Sequence, residues 1–256
     1  MNIAKNKKPI VLTGAHSGIG QLLIKELISE KIRVFGIVSP WGITDDLESC
    51  DNLVEYVKID LSKTIPEKFL KLFQDTELLV HLAWARPNNS FKAIAANKEI
   101  FENLSTLLND KSKIIFMSSV CATPINLSNY GKAKYHISQV IKKYQSIEII
   151  TGLLISKPAI GPFELLKKFI KKLHIKFLFI KTPLSIVSSI EQVMDATMSA
   201  ILDFKNSEAI IKAYDPQPVP LNGIINNIIK SNNIISIPIL IPTKLTLAFL
   251  YITRSL

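Results

Sequence analysis

The sequence predicts an α/β protein with a doubly wound parallel sheet and a small C-terminal substrate lobe. Short apolar strands alternate with helical periods through the first 155 residues, which favours parallel pairing with right-handed crossovers. A glycine-rich turn joins the first strand to the first helix. The chain has 256 residues, enough for one main domain and a small second lobe. We therefore expect a flexible leader over 1–8, a main domain of 9–160 plus part of 185–215, and a small lobe of 161–184 and 216–256.

Composition and charge narrow the classes of function. Hydrophobic residues make up 48% of the chain, which excludes wholesale disorder, and the formal net charge is +10. The lysines are spread along the chain, so this charge favours solubility and a phosphorylated substrate. No recognition helix, zinc-ligand spacing or stacking-aromatic motif appears, so we expect no nucleic-acid partner and no metal site. Cys50 and Cys121 form no spaced framework and no apolar leader precedes the first strand, so we expect a reducing, cytoplasmic location.

The strongest local signal is the segment Pro9–Gly20, PIVLTGAHSGIG. Pro9–Leu12 is apolar without alternation, as in a strand that is covered on both faces. Gly14, Gly18 and Gly20 follow, and a helical period then begins. A glycine-rich turn alone is also typical of ordinary turn chemistry. Its position between a strand and a helix predicts a dinucleotide site, because the helix start presents unpaired N–H groups and a positive dipole end to a diphosphate.

Each further element follows from a local pattern. The first helix, Gly18–Glu30, places apolar residues on one face, and the later helices show the same period. The strands are short apolar runs between turn signals. The predicted elements after the first helix are strand Ile32–Val38, strand Leu53–Ile59, helix Pro66–Phe73, strand Glu77–Leu82, helix Phe91–Leu108, strand Lys113–Met117, a helix from Asn129 onward and strand Ile147–Ile155.

Two strand ends carry candidate contacts to an adenosine. In dinucleotide folds the end of the second strand meets the ribose, where an acid favours NAD and a nearby Arg tolerates NADP. Here that position is Ser39, followed by Pro40 and Trp41, so the choice of cofactor stays open. Asp60, after the third strand, can accept a hydrogen bond from the adenine amino group or cap the following turn, and we weigh the two roles equally.

The fourth strand ends in His81-Leu82-Ala83-Trp84. Ala83 is small enough to let the backbone approach a ligand. We expect His81 to be a buried, hydrogen-bonded side chain rather than a catalyst. Asn97, inside the following helix, is a candidate to face the site.

The reactive residue types are concentrated between Ser119 and Lys134. Tyr130 and Lys134 are four apart at the start of a predicted helix, so they lie on one face within reach of each other. An adjacent ammonium stabilises a phenolate, and such a pair can pass a proton to or from a hydroxyl being oxidised or a carbonyl being reduced. Ser119, at the end of the preceding strand, can hydrogen-bond the same oxygen. An ordinary amphipathic helix that carries Tyr and Lys is the alternative interpretation.

Taken in order, these motifs resemble the short-chain dehydrogenase/reductase superfamily. They are most similar to its extended branch, the NAD-dependent epimerase/dehydratase family of nucleotide-sugar epimerases, dehydratases and reductases. The resemblance spans residues 9–245, and the ordered set is more specific than any member of it. The matching segments are Thr13–Gly20, Asp60-Leu61, His81-Leu82-Ala83, Ser119 with Tyr130-x-x-x-Lys134, Lys157–Pro162, Ser189–Ala196 and Pro218–Leu221.

The resemblance implies a Rossmann fold, NAD or NADP as cofactor, and hydride transfer between the nicotinamide and a sugar carbon. It assigns Tyr130 as the acid and base, Lys134 to the nicotinamide ribose and to Tyr130, and Ser119 to the reacting oxygen. The cofactor-binding residues that it implies are Gly14, Ser17, Gly18, Ile19, Gly20, Ser39, Asp60, Leu61, Leu82, Ala83, Trp84, Lys134 and Pro158.

Several positions depart from the extended branch. The glycine spacing is that of the single-domain branch, with Ser17 where the extended branch has glycine. Ser119 and Tyr130 are eleven residues apart, which is shorter than usual. Lys157 replaces the usual Arg, and Ser189 the usual His. The segment after residue 162 is compressed, so the substrate is less well defined than the cofactor.

Two segments have more than one interpretation. Phe163–Ile180 is basic and amphipathic, and can face a nucleotide-sugar diphosphate, lie on an anionic membrane, or form an ordinary solvated lysine face over an apolar stripe. Ile237–Tyr251 has the same ambiguity. The longest apolar candidate for a membrane span, Ile234–Ile252, is interrupted by Pro238, Pro242 and Lys244.

We therefore expect an NAD(P)-dependent nucleotide-sugar epimerase, dehydratase or reductase in polysaccharide or glycoconjugate biosynthesis. The alternatives are an NAD(P)-binding regulatory protein without turnover and a simple carbonyl reductase, which the glycine spacing suggests and the His81-Leu82-Ala83 and Pro158 segments oppose. The expected partner is a nucleotide sugar or another small molecule, and a homodimer is left open. The sequence distinguishes neither NAD from NADP nor the sugar carbon that reacts.

Overall fold

The computed structural model of the chain describes residues 9–41, 52–74, 76–85, 90–109, 111–125, 128–156 and 161–242. Strands and helices alternate along the first part of the chain, and two smaller sheets are added toward the C-terminus. The elements in chain order are β1 (Ile10–Thr13), α1 (Gly18–Ser29), β2 (Val34–Val38), β3 (Val54–Lys58), α2 (Glu67–Gln74), β4 (Leu78–His81), α3 (Ser90–Leu107), β5 (Lys113–Ser119), α4 (Asn129–Ile141), β6 (Gln145–Thr151), β7 (Leu153–Ile155), α5 (Gly161–Leu173), β8 (Ile175–Phe179), β9 (Leu184–Ser189), α6 (Ile190–Leu202), β10 (Ile210–Ala213), β11 (Asp215–Pro220), α7 (Leu221–Ser231) and β12 (Ile237–Ile241).

A seven-stranded parallel sheet forms the centre of the fold, with its strands in the order β10-β6-β5-β4-β1-β2-β3. The chain runs outward from β1 to β3 and then returns to the other side of β1 with β4. Loops that leave the carboxyl ends of β1 and β4 therefore diverge and enclose a crevice, the usual ligand site of an open α/β sheet. The doubly wound parallel sheet that the sequence predicts is confirmed.

Helices cover both faces of this sheet. In β1, Ile10 and Leu12 belong to an apolar cluster that includes Leu23 of α1. Val11, which points to the opposite face, belongs to a second cluster with Phe73 of α2. All five side chains are buried. Burial from both sides explains why β1 is apolar without alternation.

The predicted sixth strand, Ile147–Ile155, is in fact two strands in different sheets. β6 pairs with β5 in the large sheet, whereas β7 pairs with β9 in a three-stranded sheet of order β11-β9-β7. Between them, Gly152 donates its N–H to the Ser188 hydroxyl at 2.8 Å. A Cβ at Gly152 would overlap the carbonyl oxygen of Ile186 in β9. The chain changes sheets where the backbone of β9 approaches too closely for any side chain.

The predicted amphipathic stretch Phe163–Ile180 is also two elements. α5 ends at Leu173, the next residue His174 has a positive φ of 53°, and β8 then pairs with β12 in a two-stranded sheet. Asn222 of α7 holds the end of β8 through two hydrogen bonds of 3.0 Å with the backbone of Phe179. Ile237–Tyr251 begins as strand β12, and its part beyond residue 242 lies outside the described residues.

The last two helices begin within the segments Ser189–Ala196 and Pro218–Leu221, which resemble the epimerase/dehydratase family. α6 starts with a capping box, in which Ser189 and Gln192 exchange side-chain to backbone hydrogen bonds of 3.0 and 3.1 Å. α7 starts at Leu221, directly after the prolines of β11. Across the described ranges, none of the helices is long and apolar enough to cross a bilayer.

We predict that Gly152→Ala destabilises the fold, because the new Cβ would overlap the Ile186 carbonyl. A backbone shift that relieves such overpacking costs about 1–3 kcal/mol. The matched control is Gly223→Ala in α7, where nothing lies within 4 Å of the Cβ position, and where alanine adds up to ~1 kcal/mol of helix propensity. Urea unfolding should give a lower free energy of unfolding for Gly152→Ala and an equal or higher one for the control. Equal stability of Gly152→Ala and the wild type would contradict the close approach of β9.

Candidate active site

The glycine turn after β1 meets the loop after β4 at the carboxyl edge of the sheet. Gly14 has a φ of +73°, a conformation that favours glycine. A Cβ at Gly14 would lie 2.8 Å from the backbone nitrogen of Ala83. The two loops therefore touch through their backbones, which requires glycine at position 14 for a second reason.

α1 begins directly after this turn, at the carboxyl end of β1. Ser17 caps the helix, and its Oγ accepts a hydrogen bond from the Gly20 N–H at 3.1 Å. The N–H groups of Gly18 and Ile19 have no acceptor among the described residues. A Cβ at Gly20 would overlap the carbonyl oxygen of Gly14, so the turn folds back tightly on the helix start. These unused donors and the helix dipole fit a diphosphate.

Thr13 and His81 join β1 to β4 beneath the turn. The Thr13 hydroxyl accepts a hydrogen bond from the Ala83 N–H at 3.2 Å and forms another of 2.8 Å with Nδ1 of His81. Burial, and then the charge of Lys134, lowers the pKa of His81 to about 3. The imidazole is thus neutral at pH 7, and the expectation of a buried, hydrogen-bonded His81 is confirmed. The part played by Thr13 was not expected from the sequence.

Asn97 of α3 holds the loop after β4 from its other end. Its side-chain amide accepts from the Ala85 N–H at 2.8 Å and donates to the Ala85 carbonyl at 2.9 Å. The side chain is buried. Thr13 binds the backbone of Ala83 and Asn97 that of Ala85, so the loop is held on both sides of Trp84. Asn97 therefore acts by holding this loop.

The residues predicted on the adenosine side lie after β2 and β3. The Ser39 hydroxyl accepts from the Trp41 N–H at 3.3 Å. Asp60 accepts through Oδ1 from the N–H and the hydroxyl of Ser62, at 3.1 and 2.6 Å. Asp60 therefore caps the following turn, which was one of its two expected roles. Leu61 beside it is buried.

Tyr130 and Lys134 stand on the first two turns of α4. Ser128 caps this helix by accepting the Gly131 N–H at 3.0 Å. The Lys134 side chain is 4% exposed, and its Nζ donates to the Met117 carbonyl oxygen at 2.6 Å. Tyr130 is 39% exposed. The two residues thus combine a buried amine with a phenol that a substrate can reach.

Trp84 covers this pair. The Nζ of Lys134 lies 4.6 Å from the centroid of the Trp84 ring and 4.7 Å from that of Phe116. The Trp84 ring also meets the Tyr130 ring edge on, with centroids 4.9 Å apart. Aromatic faces attract an ammonium while they exclude water from it. Trp84, which the sequence suggested as a cofactor contact, therefore lies against both members of the proposed proton relay.

Burial lowers the pKa of Lys134 from 10.5 to about 7, and the charge of Glu148 opposes this shift. The Ser138 hydroxyl lies 2.5 Å from Oε1 of Glu148 and 3.1 Å from the Lys134 carbonyl, and Ser118 lies 3.4 Å from Ser138. Near neutral pH, Lys134 is therefore divided between ammonium and amine. This network was missed from the sequence, although a glutamate within the apolar run of β6 could have indicated it.

Ser119 ends β5 at the same edge of the sheet. Its Oγ accepts from the Cys121 N–H at 3.2 Å, and the side chain is 8% exposed. The alternation of β5 turns Ser118, not Ser119, toward α4, where it meets Ser138. Leu82 is fixed beside β1 through its N–H to the Thr13 carbonyl at 3.2 Å. Pro158 lies outside the described residues.

No protein-family model matches the chain, and no curated protein matches it. Solved structures do match in fold. UDP-glucose 4-epimerase from Thermotoga maritima, with UDP-glucose, is 14% identical with a TM-score of 0.70, and the match covers 92% of this chain and 86% of the epimerase.

Two further similar structures contain NAD. The Bordetella bronchiseptica enzyme WbmH in complex with NAD+ is 11% identical with a TM-score of 0.73. The dTDP-glucose 4,6-dehydratase of Bacillus anthracis in complex with NAD is 13% identical with a TM-score of 0.72. Each match covers 92% of this chain and 85% of the other chain. The chain therefore has the fold of the nucleotide-sugar epimerases and dehydratases.

The lowered pKa of Lys134 predicts a pH-dependent signal from Trp84. Below about pH 7 an ammonium lies against the indole, and above it a neutral amine. Trp41 and Trp84 are the two tryptophans of the chain, so Trp41→Phe isolates Trp84. We expect its fluorescence to titrate with a midpoint near pH 7, whereas His81, with a pKa of about 3, stays neutral over this range.

The control for this titration is Lys134→Met in the Trp41→Phe background, which keeps an unbranched side chain of similar length beside the indole. The transition should disappear in that protein. A flat titration between about pH 5.5 and 9 without the second substitution would contradict the lowered pKa of Lys134, and an unchanged transition with it would show that another group titrates beside Trp84.

Proposed function

We propose that this protein is an NAD(P)-dependent enzyme that epimerises, dehydrates or reduces a nucleotide-activated sugar. The observation that carries the proposal is the placement of Tyr130 and Lys134 at the carboxyl edge of the parallel sheet, on the same edge as the glycine turn after β1. Similarity of fold to a UDP-glucose 4-epimerase and to two NAD-containing enzymes, one of them a dTDP-glucose 4,6-dehydratase, supports it. A polysaccharide or glycoconjugate pathway remains part of the proposal.

The glycine turn is the proposed diphosphate site. The N–H groups of Gly18 and Ile19 and the positive end of the α1 dipole would hold the two phosphates. Gly14 and Ala83 would line the floor, because their backbones already touch and leave no side chain there. Ser39 and Asp60 would border the adenosine, with Leu82 and Trp84 nearer the nicotinamide. A bound nicotinamide would supply hydride acceptance and donation.

Tyr130 is the proposed acid and base. Its phenolate would take the proton of a sugar hydroxyl as that carbon is oxidised, and its phenol would return a proton as a carbonyl is reduced. Lys134 would stabilise the phenolate by its charge. Because the pKa of Lys134 is near 7, the amine can also pass a proton onward at neutral pH. Ser119 would hydrogen-bond the reacting oxygen.

A regulatory protein that binds NAD(P) without turnover is the second candidate. It is favoured by one specific observation, the Trp84 ring that lies against both Tyr130 and Lys134. In an enzyme, the nicotinamide and the sugar would both have to bind next to this ring in order to reach Tyr130. Binding and turnover measured on the same preparation separate the two candidates.

We predict that Tyr130→Phe lowers turnover by about 10²- to 10⁴-fold, the usual contribution of a positioned proton donor. Affinity for NAD or NADP should change little, because the ring and its contact with Trp84 are kept. The measurements are isothermal titration with each dinucleotide and product analysis over a panel of nucleotide sugars and keto-sugars. The matched control is Tyr135→Phe, which removes the same hydroxyl from the residue after Lys134 in α4.

Dinucleotide binding without turnover of any sugar in the wild type would favour the regulatory candidate. Full turnover in Tyr130→Phe would remove the tyrosine from the mechanism. Absence of binding, judged also by the lack of any rise in the unfolding temperature at saturating dinucleotide, would overturn both candidates.

A further inference from the structure

Helix α5 carries an apolar arc that the fold buries only in part. At 100° per residue, Leu165, Phe169, Leu173, Leu166 and Ile170 follow one another around the helix over about 140°. Ile170 is fully buried in the cluster under α7, and Leu166 packs against that cluster. Leu165, Phe169 and Leu173 are 58%, 46% and 42% exposed. These three, spaced by four, form an outer stripe along the helix.

The outer stripe continues onto the two-stranded sheet. The Phe169 ring stacks on Phe177 of β8, with centroids 5.8 Å apart. Phe177 pairs with Ile239 of the edge strand β12, and Ile237 lies two residues away on the same face. Ile237 and Ile239 are 70% and 40% exposed. Nine of the fourteen exposed large apolar side chains in the described part of the chain lie in 165–184 and 235–240, so apolar exposure is concentrated here.

A basic face lies beside the outer stripe. Residues 161–184 contain six lysines and one glutamate. Lys168 and Lys172 border Leu165 and Phe169 on the helix surface, and Lys167 and Lys171 lie farther round. Glu164 pairs with Lys168 at 2.6 Å, which offsets one of the positive charges. An apolar stripe with a lysine flank matches a helix that lies in the plane of a membrane interface.

We propose that the outer stripe docks on an anionic lipid bilayer, with α5 parallel to the surface and the neighbouring lysines among the headgroups. Charge complementarity favours this occupant over a second copy of the chain. Two copies that pair through this face would bring their lysine flanks together, and juxtaposed like charges oppose association. The bilayer instead accepts the apolar side chains and attracts the lysines. This proposal stands apart from the reaction proposed above.

The test is co-sedimentation of the full chain with vesicles. Vesicles of phosphatidylcholine with about 30% phosphatidylglycerol should bind the protein, and pure phosphatidylcholine should bind it far less. Raising the salt from about 0.1 M to 0.5 M should release it, because the lysine attraction is screened. Equal partition onto the two kinds of vesicle, or no partition, would overturn the proposal.

Two pairs of exposed-site variants locate the surface. Leu165→Gln should lower the partition coefficient at least about fivefold, whereas Leu202→Gln on α6, at a site of 50% exposure, should leave it unchanged. Lys172→Gln should lower it about fivefold, the effect of one lysine near an anionic surface, whereas Lys25→Gln on the exposed side of α1 should not. Equal effects within either pair would refute the placement on α5.

The chain beyond residue 242 is the competing membrane contact. Deleting 243–256 should leave salt-sensitive binding to anionic vesicles, and Leu165→Gln should still weaken it. Loss of all binding on deletion would overturn the proposal. A dimer in solution that Leu165→Gln dissociates, without vesicle binding by either protein, would assign the face to a second copy instead.

Discussion

The contact between the backbones of Gly14 and Ala83 is the constraint on which the site depends. It lies where β1 and β4 stand side by side in the sheet, and it sets the distance between the two loops that leave them. The Thr13 hydroxyl stabilises this arrangement through its hydrogen bonds with the His81 ring and the Ala83 N–H. A side chain at Gly14 would separate the loops, so the form of the crevice depends on this glycine and on the Thr13 hydroxyl.

The burial of Lys134 has no evident benefit for stability. Moving an ammonium out of water is costly, and the lowered pKa expresses that cost. The Met117 carbonyl, two aromatic rings and the more distant Glu148 offset only part of it. Strongly shifted groups in a crevice are typical of functional sites. A buried amine near its pKa, beside an accessible phenol, is therefore better explained by proton chemistry than by folding.

Local chemistry made some features predictable from the sequence. The glycine turn between β1 and α1 follows from residues that are close in sequence, and Tyr130 and Lys134 share one helix face by spacing alone. Contacts between distant segments were not predictable. The strand β6 ends before Gly152 because the backbone of β9 lies against that glycine. The residues around position 152 do not indicate this contact. Likewise, two equal roles for Asp60 followed from the sequence, and only the structure shows that Ser62 donates two hydrogen bonds to its Oδ1, as a turn cap requires. The strands β8 to β12 were missed. Four of them, β8, β9, β11 and β12, pair only with one another and with β7, outside the alternation of strands and helices that built the large sheet.

The point at which the chain leaves the large sheet links the small sheets to the candidate site. Thr151, the last residue of β6, pairs with Ser119 at the end of β5, and its carbonyl accepts the Val120 N–H at 2.9 Å. The next residue, Gly152, already belongs to the crossing with β9. The Ser188 hydroxyl then joins that crossing to β10 by donating to the Ala213 carbonyl at 2.6 Å. The three-stranded sheet is thus anchored one residue from the strand end that carries Ser119. Ser119 and the three-stranded sheet are therefore joined through Thr151 and Gly152, without an intervening loop.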